Sequence, residues 1–229
     1  MKRACNMDKK RAVIFDLDGT LVDSIEDLGL SVHYALGSLG YDSSRDPKVY
    51  APMVGNGTKK LVERAMKQFH VPDELFPDIF SAFQSIYEKC ALEHTVAYPG
   101  ITELLQNLKV HGVLMAVHTN KPDSVAKKIV EHLFPDIFCG VFGQKEGIPL
   151  KPAPDVSLQI ARQFGLSVAE VAFCGDSNVD IYTAQNAGMF SIGVLWGFRD
   201  ETELKSAGAQ TIVRVPDEIK KYILTLDKT

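Results

Sequence analysis

Cysteine is scarce in this chain of 229 residues: Cys5, Cys90, Cys139 and Cys174 lie far apart and form no CxxC pair. They read as buried small apolar residues or free thiols of a reducing compartment, not as a disulfide framework. Charge of one sign is lacking too. The 25 basic and 29 acidic residues leave a net charge of −4, which gives no hint of a nucleic-acid surface. No window approaches the ~18 apolar residues of a membrane helix. The basic start, Met1 to Arg11, carries Lys2, Arg3, Lys9, Lys10 and Arg11, without the apolar stretch of a signal peptide behind it. These absences point to a cytoplasmic protein with no nucleic-acid or membrane partner. What is present is apolar material for a core: 45% hydrophobic residues and a mean hydropathy of −0.02. That suits one large domain, or a domain with a smaller module.

Five short runs rich in β-formers each end in a polar or glycine break and read as buried strands. They are Ala12–Phe15, Leu114–His118, Gly140–Phe142, Val171–Cys174 and Ser191–Val194. Helical spacing lies between the later ones. Ile101, Leu104, Leu105 and Leu108 share one face, as do Ala126, Ile129, Val130 and Leu133. A third helix is predicted from about Pro154 to Phe164 with Gly165 as its stop, and a fourth from about Asp180 to Ala187, closed by Gly188. Alternating strand and helix imply an α/β, Rossmann-like core: a doubly wound parallel sheet covered on both faces.

The first crossover breaks that pattern. It spans about 97 residues, 17 to 113, where ~10–12 suffice. The excess has helical periodicity. Leu61, Val62, Ala65, Met66 and Phe69 form one apolar face behind Thr58 as a predicted N-cap, and Ile25–Leu39 and Asp78–Ala91 are further helices. An all-helical module is therefore expected at residues 23–96, inserted into a core made of 1–22 and 97–229, with Pro99-Gly100 marking the return. The hexapeptide LFPDIF occurs at 75–80 and again at 133–138, but the flanks differ and no period repeats. It reads as coincidence.

In an open parallel sheet, ligands bind beyond the carboxyl ends of the strands. Asp16 and Asp18 follow the first strand, and Thr119, Asn120 and Lys121 the second. Lys151, Pro152, Ala153 and Pro154 come in a loop past the third, and Gly175, Asp176, Ser177 and Asp180 follow the fourth. Turn preference explains one or two such positions, but poorly a convergence of carboxylates, a hydroxyl, an amide and a lysine. Alternation puts Asp16 and Asp18 on one side of the strand. At ~4 Å and an effective dielectric near 20, two such charges repel by ~4 kcal/mol. Asp176 adds a third, so either a proton is retained or a cation sits among them. An all-oxygen site of few carboxylates suits Mg²⁺ and a phosphate-bearing ligand.

FDLDGTLVDS at 15–24, TNK at 119–121, KPAPD at 151–155 and GDSxxD at 175–180 closely resemble, in order, the four linked motifs of the haloacid dehalogenase superfamily of phosphotransferases. The insertion after the first motif is similar to that family's helical cap. VGNGTKKLVERA at 54–65, YPG at 98–100 and GVLWGF at 193–198 resemble the phosphoglycolate phosphatases within it. The resemblance implies a Mg²⁺-dependent phosphatase acting through an aspartyl-phosphate. Asp16 is then the nucleophile and Asp18 the general acid and base. Mg²⁺ is held by Asp16, Asp176 and the backbone carbonyl of Asp18, and Thr119 and Lys151 clamp the phosphoryl group. Asp180 supports the metal or Lys151 from behind, and Asn120 joins the substrate contacts.

Substrate choice is expected in the cap, where Gly55-Asn56-Gly57 precedes a helix start and offers backbone amides to a small anion. It matches neither the dinucleotide fingerprint nor a Walker A loop, and a surface turn is its bland reading. His118, at a buried strand end, reads as a core residue, and the other histidines lack metal-ligand spacing. The expected partner is a small phosphate ester, 2-phosphoglycolate first, taken by a monomer or homodimer. The alternatives are a β-phosphoglucomutase-like mutase, a pyrophosphatase or nucleotide phosphatase, and a phosphate-sensing module without activity.

Overall fold

The computed structural model describes residues 10–224. Cys5 and most of the basic start lie outside them. Strand β1 (Ala12–Phe15) is buried on both faces, as a central strand of a parallel sheet requires. Two residues, Val22–Asp23, form the short strand β2, after which come α1 (Ile25–Ser38), α2 (Thr58–Gln68) and α3 (Phe76–Cys90). β3 (Val96–Ala97) returns antiparallel beside β2, pairing Val22 with Ala97 and Asp23 with Val96. The chain thus leaves and re-enters at one place.

Beyond that pair run α4 (Ile101–Val110), β4 (Leu114–Pro122), α5 (Asp123–Leu133), β5 (Gly140–Gln144), α6 (Asp155–Gln163), β6 (Val171–Gly175), α7 (Asn178–Ala187), β7 (Phe190–Val194), α8 (Glu201–Ser206) and β8 (Thr211–Val213). The six long-range strands form one parallel sheet in the order β5-β4-β1-β6-β7-β8. The chain winds outward from β1 through β4 to β5, then crosses back to β6 and winds the other way. The order therefore reverses beside β1, which is where an open sheet leaves a crevice.

Alternation along β1 assigns its two faces. Val13 and Phe15 pack with Leu104, Leu105, Ile129 and Val130 from α4 and α5. Ala12 and Ile14 pack with Phe173 of the neighbouring β6 and with Ile160 and Ala184 of α6 and α7 from the opposite layer. Between β2 and β3, α1 packs along α3, and α2 lies against both. Phe76, Phe80, Phe83 and Tyr87 stack in sequence down α3, with ring centroids 5.3–6.4 Å apart.

Several boundaries differ from the sequence reading. Gly57, at φ +84°, is the N-cap of α2, and Thr58 is already inside the helix. A left-handed cap position favours glycine over threonine. β4 continues past His118 to Pro122, carrying Thr119, Asn120 and Lys121 on the strand itself. β2, β3 and β8 are two or three residues long, too short for any alternation to register. The two LFPDIF copies fold differently: residues 76–80 open α3, whereas 134–138 form the turn after α5. Identical hexapeptides take the shape their surroundings impose.

Candidate active site

Four strand ends meet at the reversal beside β1. Asp16 follows β1 directly, and its amide N–H donates to Cys174 O of β6 at 2.9 Å. Its carboxylate is buried, with Oδ1 2.8 Å from Lys151 Nζ and accepting from the Leu17 N–H at 2.7 Å. Lys151 is buried as well and also reaches Asp180 Oδ1 at 2.7 Å. Asp180 sits in the first turn of α7, where Ser177 and Asp180 form a reciprocal capping box. One carboxylate therefore caps a helix and holds the lysine.

Asp176 completes the group. Its Oδ2 accepts from the Phe198 N–H at 2.8 Å, and Thr20 Oγ1 stands 3.4 Å from Oδ1. Two glycines make room for it. A Cβ on Gly19 (φ +84°) would fall 2.4 Å from Asp176 Oδ2, and one on Gly197 would fall 2.4 Å from Asp176 Cβ. No L side chain fits at either position without moving the carboxylate.

Carboxylate oxygens of Asp16, Asp176 and Asp180 all lie within 4.8 Å of one another. The consequences show in their electrostatics. Burial, then the Asp180 charge, push Asp16 up to about 7 despite Lys151 beside it. Burial, Asp180 and Asp16 hold Asp176 well above the usual carboxylate range. Burial works to lower Lys151, but Asp16 and Asp180 outweigh it and raise its pKa. One ammonium among three ionised carboxylates leaves two negative charges in excess, buried. A divalent cation is of the right charge, and a donor set of oxygens alone suits a hard one.

Asp18 stands apart from this group. Its Oδ1 accepts from Ser24 Oγ at 2.5 Å and from Lys121 Nζ at 2.6 Å, and its charge is the least of the influences raising Asp16. The crowding expected between Asp16 and Asp18 thus lies between Asp16, Asp176 and Asp180. Asp16, Asp18, Thr119, Asn120 and Lys121 form one wall of a cavity, and Val54, Gly55, Gly57, Thr58 and Leu61 form the facing wall. Counting its open mouth, the space between the two walls is about 390 Å³.

The remaining sequence candidates are placed as follows. Thr119 is buried, and its Oγ1 accepts from the Lys121 N–H at 3.2 Å. The Asn120 amide is committed to backbone: Oδ1 accepts from the Lys151 N–H at 2.8 Å, and Nδ2 donates to Lys151 O and Gly55 O at 3.2 Å. Asn56 Oδ1 accepts from Arg64 Nη2 at 2.6 Å. His118 is a core residue. Its Nδ1 lies 2.9 Å from Ser157 Oγ, its ring meets Phe173 edge-on, and burial followed by Lys151 holds its pKa well below the ordinary value.

Two features had no signal in the sequence. Arg199, between β7 and α8, donates to Ala51 O at 3.0 Å, Pro52 O at 3.2 Å and Val54 O at 2.6 Å. Asp27 of α1, almost wholly buried, accepts from the backbone N–H groups of His94 and Thr95 and from Thr95 Oγ1. It thereby ties the first turn of α1 to the segment just ahead of β3. Neither residue sits in a periodic pattern or a recognisable spacing, and both work through backbone partners more than 60 residues away.

Reactive groups gathered at the switch point of a doubly wound parallel sheet define an α/β enzyme core. A family model described as haloacid dehalogenase-like hydrolase matches residues 13–194, and the chain belongs to that family. Similar relatives include the phosphoglycolate phosphatase of Psychrobacter arcticus, 34% identical over 82% of this chain and 85% of that protein. The phosphoglycolate phosphatase of Vibrio parahaemolyticus is 32% identical over 93% and 96%. A crystal structure of a candidate phosphoglycolate phosphatase from Lactobacillus delbrueckii subsp. bulgaricus superposes with a TM-score of 0.90, at 31% identity, covering 95% of this chain and 99% of that one.

Proposed function

We propose that this hydrolase is a Mg²⁺-dependent phosphatase for a small phosphate monoester, 2-phosphoglycolate first, working through an aspartyl-phosphate. The observation that carries the reading is the division of labour between the two aspartates. Asp16 shares its buried site with Lys151, Asp176 and Asp180, whereas Asp18 faces the cavity from a separate set of partners. Similarity to phosphoglycolate phosphatases at 31–34% identity supports the substrate.

In this reading an Asp16 oxygen attacks phosphorus and forms the P–O bond of the aspartyl-phosphate while the ester P–O bond breaks. Protonated Asp18 gives its proton to the departing alkoxide. The resulting carboxylate then takes a proton from water, whose oxygen attacks phosphorus and frees Asp16 and inorganic phosphate. Lys151, with the Thr119 hydroxyl, holds phosphoryl oxygens. Asp16, Asp176 and Asp180 suit a Mg²⁺ ion, with the carbonyl of Asp18 as a further ligand. That ion supplies positive charge against the phosphoryl oxygens. Uncatalysed monoester hydrolysis is slow enough for enzymes to gain about 10²¹-fold, so positioned charge is the main need.

Residues 23–96 serve as the cap. Asn120 and Arg199 already reach from the sheet to the carbonyls of residues 51–55, contacts suited to a closed position. Cys90, Cys139 and Cys174 are free thiols, in keeping with the reducing cytoplasm. Phosphate release across a panel of esters, with pyrophosphate and a sugar phosphate included, tests the reading. The expected result is a preference for 2-phosphoglycolate and no isomerised sugar phosphate. Turnover of no phosphorylated compound in the presence of Mg²⁺ would overturn it.

A further inference from the structure

Among the described residues that line the cavity, Lys121 is the only lysine or arginine. Its side chain is 1% exposed, and its ammonium lies 4.9 Å from the centre of the Tyr87 ring on α3. Among the described residues its one hydrogen-bond acceptor is Asp18 Oδ1, at 2.6 Å. An ammonium carries three donors; one serves Asp18 and the charge also faces the Tyr87 ring, so donor capacity is left towards the cavity. Long charged side chains are seldom buried unless paired, and this pairing is incomplete. Tyr87 Oη, also buried, has no hydrogen-bond partner among the described residues.

The position of Lys121 follows from what it touches. A general acid must sit within hydrogen-bond reach of the oxygen it protonates, so the leaving oxygen of the ester lies against Asp18. Lys121 lies against the same carboxylate. Whatever stands two bonds from the leaving oxygen is therefore brought beside the ammonium. In a phosphate ester of an α-hydroxy acid, that group is the carboxylate. Across the cavity, α2 begins at Gly57 with no side-chain cap, so its first N–H groups favour the same negative charge.

We infer that Lys121 is the specificity-determining residue that takes the carboxylate of the substrate, and that the substrate class is the phosphate monoesters of α-hydroxy carboxylic acids. This rests on the phosphatase reading above. An ester with an uncharged tail leaves the spare donors of Lys121 unmet in a buried place, and that penalty is the discrimination. A carboxylate one carbon further out overshoots the ammonium.

The test compares esters within each enzyme, so partial loss of folded protein cancels. kcat/KM is measured for 2-phosphoglycolate, for the phosphate ester of 3-hydroxypropionate and for ethyl phosphate, in wild type, K121M and K121Q. Wild type is expected to prefer 2-phosphoglycolate to both others. In each variant the preference over ethyl phosphate falls on the order of 10- to 100-fold, with the KM for 2-phosphoglycolate rising more than that for ethyl phosphate. Equal losses on both esters, with the preference kept, would mean that Lys121 only orders Asp18 and would overturn the inference. A wild type that hydrolyses ethyl phosphate as well as 2-phosphoglycolate would overturn the substrate class, while leaving the phosphatase reading intact.

Discussion

Arg199 Nη2 lies 2.6 Å from the carbonyl oxygen of Val54, across a sequence separation of 145 residues. The neighbour of Arg199 in the chain, Phe198, donates its N–H to Asp176. One short loop after β7 therefore ends at the acidic cluster on one side and at the facing wall of the cavity on the other. The guanidinium is largely covered, and its planar fork satisfies several carbonyls of a segment that has little regular structure.

Arg199→Ala removes that grip while leaving every strand and helix in place. Hydrogen bonds from a charged donor contribute about 1.5–3 kcal/mol each where water is excluded. Amide exchange at residues 51–57 is expected to rise on the order of tenfold. kcat/KM falls, and exchange in β1 and β6 stays as in wild type. Hydrogen-exchange mass spectrometry reads both. Unchanged exchange in 51–57 would show that Arg64, which also donates to Met53 O, holds the segment alone.

The excess negative charge at Asp16, Asp176 and Asp180 predicts stabilisation by a divalent cation. At a Mg²⁺ concentration of 100 times its Kd the gain is about 2.7 kcal/mol, visible as a higher Tm. Asp176→Asn lowers the local charge and removes one of the oxygens proposed to hold the ion, so its Tm is expected to respond weakly to Mg²⁺. Full chelation should abolish wild-type turnover. Scanning fluorimetry with and without chelator checks the first point, and phosphate release the second.

The fold was legible because each core strand contains a short run rich in apolar residues and helices α4 to α7 each keep a buried face. Pairs such as β2 with β3 were not, since two residues carry no period. The candidate site was legible as far as strand ends go: Asp16, Thr119 and Asp176 follow from topology alone. Its geometry was not. From alternation, Asp16 and Asp18 are neighbours in one crowded pair, but the chain turns at Gly19 and sends Asp18 towards Lys121. Asp180 reads as a support of the metal or of Lys151, and its Oδ1 lies 2.7 Å from Lys151 Nζ. In space its carboxylate is within 4.8 Å of the other two. Arg199 was invisible, because its partners are carbonyls and a carbonyl has no letter of its own.

The raised pKa of Asp16 carries a definite sign for stability. Its carboxyl has an ordinary value of 3.8 and stands at about 7 in the folded, metal-free protein. Between those values the native state holds a proton that the unfolded state has released. Its contribution is therefore lost as pH rises from about 4 to 7. Asp176 acts in the same direction. His118 opposes both: it is kept neutral when folded, so its share fades as pH falls below 6.5. Asp16→Asn isolates the carboxylate. Without metal, the variant is expected to be more stable than wild type at pH 8, and the advantage should shrink towards pH 5. Urea unfolding at the two pH values decides it; an advantage that grew at pH 5 would reverse the assignment.

In the proposed mechanism, Asp18→Asn separates proton transfer from nucleophilic attack. An asparagine there still accepts from Ser24 and Lys121, so the local hydrogen bonds persist, but it neither gives nor takes a proton. An alkyl ester such as 2-phosphoglycolate leaves as a strongly basic alkoxide and needs the acid. Its turnover should fall by about 10²- to 10⁴-fold. 4-Nitrophenyl phosphate has a leaving group stable without a proton, so Asp16 should still be phosphorylated. Water then attacks without a base, and the phosphorylated enzyme accumulates. The expected signature is a burst of nitrophenol matching the enzyme concentration, followed by a slow phase, with phosphate on residue 16 by mass spectrometry of acid-quenched protein. Equal losses on both esters with no burst would place Asp18 in binding rather than in proton transfer.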